Sequence, residues 1–248
     1  MLSYEEVTRR FGAVTAVDRV SLSVPPREFV ALVGESGSGK SSLLRMANRL
    51  IEPDEGQVLV GGVNVRDGSP TALRRRIGYV FQSVGLFPHM DVAANIGIDP
   101  RLAGEPALPA RIAELLDLVG LEAGHGVRMP GELSGGQRQR VGVARALAGA
   151  PELLLIDEPF GALDPVTRDA LGRRVRELHD KLGLTTVLVT HDMAEALLLA
   201  DRVLVMAAGR IVADETPAAL LRGAGGDEAQ ALVAVPRAQA DALEALRR

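Results

Sequence analysis

At 248 residues and 47% hydrophobic content, the chain carries enough apolar material for one large domain, or for a domain with an attached lobe. A net charge of −4 leaves no electrostatic footprint for nucleic acid, and the absence of cysteine excludes disulfides and thiolate metal sites, in agreement with a cytosolic setting. Met1 to Glu6 lack the charged start and apolar core of a signal peptide, and the densest apolar stretch, 194–208, is broken by Glu195, Asp201 and Arg202, so no segment is expected to span a bilayer.

Residues 1 to 30 alternate polar and apolar positions around Tyr4, Val7, Val17, Val20, Leu22 and Val24, with Pro25-Pro26 as a turn. Residues 57–65 repeat that character around Gly61-Gly62, and together they predict an antiparallel sheet. Phe11, before Gly12, is one of few aromatics; it either stacks on a purine or packs in the core.

Phe29 to Val33 is a short uncharged run that reads as a buried strand, and Ser42 to Leu50 has apolar residues at 43, 47 and 50, the spacing of one helix face. Between them lies Gly34-Glu35-Ser36-Gly37-Ser38-Gly39-Lys40-Ser41, a glycine, four residues and Gly-Lys-Ser in the strand–loop–helix context that a phosphate loop needs. The glycines let backbone N–H groups turn inward around a phosphate where side chains would block approach, and the new helix adds its unpaired N–H groups. Lys40 would reach the β- and γ-phosphates and Ser41 would ligate Mg²⁺, with Gly34 to Ser42 as the nucleotide-contacting set. The motif specifies a nucleoside triphosphate, without choosing among kinase, GTPase and transport motor.

Arg74-Arg75-Arg76 reads as a solvated basic face. Ile77 to Phe81 is a second buried-strand candidate and delivers Gln82 at its end. From Gly85 to Ala150 the pattern turns helical, with Arg111 to Val119 amphipathic, Gly120 at its stop and prolines at 88, 100, 106, 109 and 130 as breaks; this predicts an inserted helical lobe. Leu153 to Ile156, four aliphatics ending in Asp157-Glu158-Pro159, reads as a central parallel strand whose edge places Asp157 to hold Mg²⁺ and Glu158 to polarise an attacking water. Thr185 to Thr190 is the next strand and ends at His191, either a structural histidine or a site residue. Residues 203–206 and 210–213 form a closing hairpin, and Gly223 to Gly226 reads as a flexible joint before an Ala-rich helix interrupted by Pro236.

Leu133-Ser134-Gly135-Gly136-Gln137-Arg138-Gln139-Arg140 resembles the signature motif of ATP-binding cassette (ABC) proteins. The other motifs follow in that family's order: phosphate loop, Gln82, signature, Asp157-Glu158, Ala162-Leu163-Asp164 and His191. The resemblance covers nearly the whole chain. It implies a phosphate-loop NTPase α/β core over 1–222, mainly parallel sheet with an antiparallel subdomain and a helical lobe at about 85–150, and a helical tail over 223–248. It also implies a head-to-tail dimer in which Ser134, Gly135, Gly136 and Gln137 complete the ATP site of a second copy. Gln82 would link Mg²⁺ and the water to the lobe, Glu158 would act as base, His191 would contact the γ-phosphate, Asp164 would communicate across the dimer, and Phe11 would stack on adenine.

Asn48 to Pro53 and Gln82 to His89 resemble the ATPase subunits of bacterial quaternary-amine importers, which take up osmoprotectants such as glycine betaine, choline or carnitine. That resemblance implies a membrane-peripheral ATPase on the cytoplasmic face, working with permease subunits and, indirectly, a solute-binding protein. Roughly 25 residues follow the Gly-rich joint, too few for the paired CBS modules that many relatives carry. Rival readings are an importer ATPase for amino acids, sulfonates or another small solute, and a non-transport ABC ATPase; the acidic balance and the lack of a long heptad insertion stand against the latter.

Overall fold

The alternation read in the first residues becomes β1 (Leu2–Phe11) and β2 (Val14–Val24), whose inward positions Leu2, Tyr4, Val7, Val17, Val20 and Val24 are buried. The computed structural model describes residues 1–102, 104–105, 108–161 and 163–247. After β3 (Phe29–Val33), every residue of which is buried, the phosphate-loop residues lead into α1 (Lys40–Ala47). The expected helix to Leu50 stops short. Arg49 adopts φ +54°, the N–H groups of Leu50 and Ile51 turn back to the Arg45 carbonyl, and Leu50 is left 42% exposed.

β4 (Glu55–Val60) and β5 (Val63–Asn64) follow, then α2 (Pro70–Arg75), β6 (Ile77–Val80), α3 (Val92–Ile96), α4 (Ile98–Leu102) and α5 (Pro109–Leu118). Two 3₁₀ turns, Ala123–Val127 and Pro130–Glu132, precede α6 (Gly135–Leu147), β7 (Leu153–Asp157), α7 (Pro165–Leu182) and β8 (Thr185–Val189). The chain ends through α8 (Met193–Leu199), β9 (Arg202–Ala207), β10 (Arg210–Glu215), α9 (Pro217–Leu221) and α10 (Gly226–Ala245). Of the expected proline breaks, Pro109 and Pro130 each open an element, where a missing N–H costs nothing; Pro106 lies outside the described residues. Arg74, Arg75 and Arg76 are exposed, as a solvated face requires.

The chain divides into two compact units, Met1–Asp67 with Val187–Arg248, and Gly68–Thr186. In the first, an antiparallel sheet runs in the order β2-β1-β4-β5. A second sheet carries β3 parallel to β9, in register from Val30↔Arg202 to Val33↔Val205, with β10 antiparallel on β9. In the second unit β6 and β7 pair in parallel from Ile77↔Leu153 to Val80↔Ile156, and α3 to α6 lie in the same unit. Buried aliphatic runs in the parallel strands are what burial on both faces demands, whereas the antiparallel β1 and β2 alternate only between register shifts such as that from Tyr4 to Val7. The α/β class expected from the sequence is the class observed.

The tail departs from expectation. α10 runs unbroken through Pro236, with Ala229 and Val233 buried beneath it. Gly223 to Gly226 is pinned, since Gln230 Nε2 donates to the Leu220 and Ala224 carbonyls at 2.9 and 2.6 Å. Tertiary packing has overridden the local signals of glycine and proline. No helix among the described residues is long and apolar enough to cross a membrane.

Candidate functional site

In the first unit the phosphate-loop residues are shaped by backbone that only glycine tolerates. Gly34 (φ +149°) and Gly39 (φ +107°) pass so close to other backbone that a Cβ would sit 2.1 Å from the Met206 carbonyl oxygen and 2.0 Å from that of Ala16. The Gly209 N–H, in the β9–β10 turn, donates to the Ser38 carbonyl at 3.1 Å and ties the loop to that hairpin. Lys40, 4% exposed, points back into the loop. Its Nζ donates to the carbonyls of Gly34 and Glu35, each at 2.8 Å, and reaches Ser38 Oγ at 3.5 Å. A buried ammonium must be partnered, and carbonyl oxygens do that here. Ser41 and Ser42 lie in the first turn of α1, half-buried.

His191 follows β8 in the same unit. The Thr190 N–H donates to the Leu32 carbonyl of β3 at 3.2 Å, so His191 leaves the sheet at the edge from which the phosphate loop departs. Asp192 caps α8 through the N–H groups of Ala194 and Glu195, and Thr190 Oγ1 donates to Glu195 Oε2 at 2.6 Å. The His191 side chain is exposed. Phe11 is not a core residue: it is 46% exposed at the β1–β2 turn, with the Arg9 guanidinium carbon 4.7 Å from its ring centroid.

The second unit gathers Gln82, Asp157 and Glu158 at the ends of the paired strands β6 and β7. Asp157, 1% exposed, accepts at Oδ2 a hydrogen bond from the Tyr79 hydroxyl at 3.1 Å. Tyr79 is a residue the sequence reading placed only in a strand; the hint it offered was a polar-tipped aromatic three residues before Gln82. Glu158 adopts φ +46°, a conformation costly to a side-chain-bearing residue, and receives Gln82 Nε2 on its Oε2 at 3.2 Å.

Elsewhere in that unit, Ser134 is the N-cap of α6 in a reciprocal capping box. Its Oγ accepts from the Gln137 N–H at 3.2 Å while Gln137 Oε1 accepts from the Ser134 N–H at 2.9 Å. Ser134 and Gly135 are exposed, whereas Gly136 is buried, with α7 so near that a Cβ would lie 2.5 Å from Thr167 Cγ2. Val141, Ala144 and Leu147 form the buried face of this helix. Asp164 caps α7, accepting from the Thr167 N–H at 3.0 Å, and the Thr167 hydrogen bonds hold its carboxyl below the usual carboxylate range. Ala162, first of its expected motif, lies outside the described residues.

Arg145 binds α6 to the segment after Gln82: buried, it donates to the carbonyls of Val84 and Gly85 at 2.5 and 2.8 Å. Val84, a β-branched residue at φ +54°, is strained there. Desolvation lowers the Arg145 pKa, opposed in part by the charge of Asp99.

Residues 17–161 match the family model described as ABC transporter. The chain is 47% identical to the glycine betaine/carnitine/choline transport ATP-binding protein OpuCA of Bacillus subtilis, over 90% of this chain and 59% of the relative. It is 50% identical to the sulfate/thiosulfate import ATP-binding protein CysA of Caulobacter vibrioides, over 87% of this chain and 65% of the relative. Among solved structures it is similar to the ATP-binding cassette MJ0796 in a dimeric post-hydrolysis state bound to ADP and Pi, with TM-score 0.79 and 32% identity over 88% of this chain and 99% of that one. The chain thus spans about three fifths of the length of these two relatives. With that family model matching more than half of its residues, the chain belongs to the ABC transporter family.

Proposed function

We propose that this chain is the ATP-hydrolysing, energy-coupling subunit of a bacterial importer. Two identical copies act on transmembrane permease subunits at the cytoplasmic face of the membrane, and a solute-binding protein delivers the solute. The observation that carries this reading is Glu158, held on left-handed backbone with the Gln82 amide on its carboxylate, beside the buried Asp157. Strain of this kind persists where a side chain must be aimed, and a carboxylate so aimed can take a proton from water as that water attacks the γ-phosphorus, releasing ADP and phosphate.

Lys40 and the N–H groups of the loop and α1 take the β- and γ-phosphates, His191 meets the γ-phosphate, and the exposed face of Phe11 takes adenine. The Ser41 hydroxyl, the Gln82 amide oxygen and the Asp157 carboxylate are each hard oxygen donors of the kind that Mg²⁺ takes alongside substrate phosphates, and these residues would hold it. Gln82 donates to Glu158 through Nε2, so its oxygen is the atom left for the cation. When bound, Mg²⁺ neutralises charge on the phosphates.

The exposed Ser134 and Gly135 at the start of α6 form the half-site that a second copy's nucleotide would meet, with Asp164 at the same end of α7. ATP then acts as the bridge between copies, and its cleavage lets them separate, a switch set by differential affinity. The glycine betaine/carnitine/choline relative supports a quaternary-amine osmoprotectant as solute. The equally similar sulfate/thiosulfate relative favours, as a second reading, an oxyanion importer.

Glu158→Gln should lower hydrolysis by about 10²–10⁴-fold while leaving ATP binding intact. Phosphate release near the wild-type rate would assign the base elsewhere. Stimulation of the reconstituted complex by betaine, choline or carnitine, against sulfate, separates the two solute readings.

A further inference from the structure

The Ser134 turn is held by a chain of hydrogen bonds whose direction is fixed at both ends. The Ser134 backbone N–H can only donate, and it donates to Gln137 Oε1 at 2.9 Å. That orients the Gln137 amide so that its nitrogen faces the other way, 3.2 Å from His125 Nε2. An amide nitrogen has no lone pair to offer, so His125 Nε2 is the acceptor. At the far end His125 Nδ1 lies 3.2 Å from the Glu122 carbonyl oxygen, which can only accept, so Nδ1 carries the proton. Both contacts are met by one ring tautomer, Nδ1–H, with His125 9% exposed in the 3₁₀ turn before the signature residues.

We infer that His125 is a positioning residue for the signature turn: by accepting from Gln137 it holds the amide in the one orientation that caps the Ser134 N–H, and so fixes the Ser134 backbone from which the Gly135 and Gly136 N–H groups follow. This rests on the reading above in which that turn completes a second copy's nucleotide site. Without an acceptor at the His125 Nε2 position, the Gln137 nitrogen loses its partner in a part-buried place, and flipping the amide sets two donors face to face at Ser134. The amide orientation is set from both sides, by the Ser134 N–H on its oxygen and by His125 Nε2 on its nitrogen. The Ser134 Oγ bond to the Gln137 N–H involves backbone and survives either orientation.

The test uses the full chain labelled with ¹⁵N-histidine and ¹⁵N-serine, alongside His125→Gln, whose amide oxygen stands in for Nε2, and His125→Leu, which has no acceptor. In the wild type the His125 ring, assigned by its loss in the variants, should show the Nδ1–H tautomer, and the Ser134 amide resonance should move in His125→Leu but hold in His125→Gln. The ATP concentration giving half-maximal hydrolysis should rise about tenfold in His125→Leu, with a smaller change in kcat, and return toward wild type in His125→Gln. An Nε2–H tautomer in the wild type, or equal behaviour of the two variants, overturns the assignment. A wild-type chain without ATP turnover would contradict the proposed function, while the tautomer and the Ser134 resonance would still decide the role of His125.

Discussion

Gln82 Nε2 donates to Glu158 Oε2 at 3.2 Å, so the residues just beyond β6 and β7 meet over the ends of two parallel-paired strands. The contact also links Glu158 to α6, because the carbonyls of Val84 and Gly85 in the segment after Gln82 are gripped by Arg145. Gln82→Ala should therefore slow hydrolysis by misplacing the carboxylate rather than removing it, about 10- to 10²-fold in kcat with little change in nucleotide affinity. Steady-state phosphate release against ATP concentration checks the split.

The phosphate-loop glycines should divide by what lies above them. Gly34→Ala and Gly39→Ala drive a methyl into the Met206 and Ala16 carbonyls and should each cost about 3 kcal/mol or more. Gly37→Ala, at φ +83° with open space around it, should cost only about 1–2 kcal/mol for the left-handed backbone. Urea midpoints of the three variants rank them, and equal losses would contradict the close-approach account.

Asp164 should titrate below an ordinary aspartate because the side chain and then the backbone of Thr167 bond its ionised form. A depressed folded-state pKa means the cap's contribution is fully present above the ordinary value of about 3.9 and is lost as pH falls through the lower folded value. Carboxyl-carbon NMR should show this shift, and Thr167→Val should bring the midpoint back up.

The site's chemistry was legible in the sequence wherever it depends on local spacing. Glycine-lysine-serine after a buried run announced the loop, and aliphatics ending in two acids announced β7, because backbone conformation and burial leave short-range marks. What escaped depends on contacts between distant residues. The Tyr79–Asp157 bond spans 78 positions, and Gly39 is forced by a carbonyl on β2. His125 gave no signal at all, since its role appears only once Gln137 is turned toward it. Leu50 and Pro236 misled for the opposite reason: helix periodicity and helix breaking are local rules that a reversed C-terminus and a buried Ala229–Val233 face overrode.

Because α10 continues through Pro236 without a donor at that position, Pro236→Ala should stabilise the last turns. The intrinsic difference between the two residues in a helix interior is about 3 kcal/mol, of which packing already recovers part. Hydrogen exchange over residues 237–245 should slow in the variant, with no change in hydrolysis.

The claim on which the functional account turns is that two copies close on shared ATP through the Ser134 turn. Sedimentation of Glu158→Gln with saturating Mg-ATP measures it directly. The expected result is a doubled mass that returns to the monomer on replacing ATP with ADP and is abolished by adding Ser134→Arg. A Glu158→Gln chain that binds ATP at full occupancy yet sediments as a monomer would contradict it.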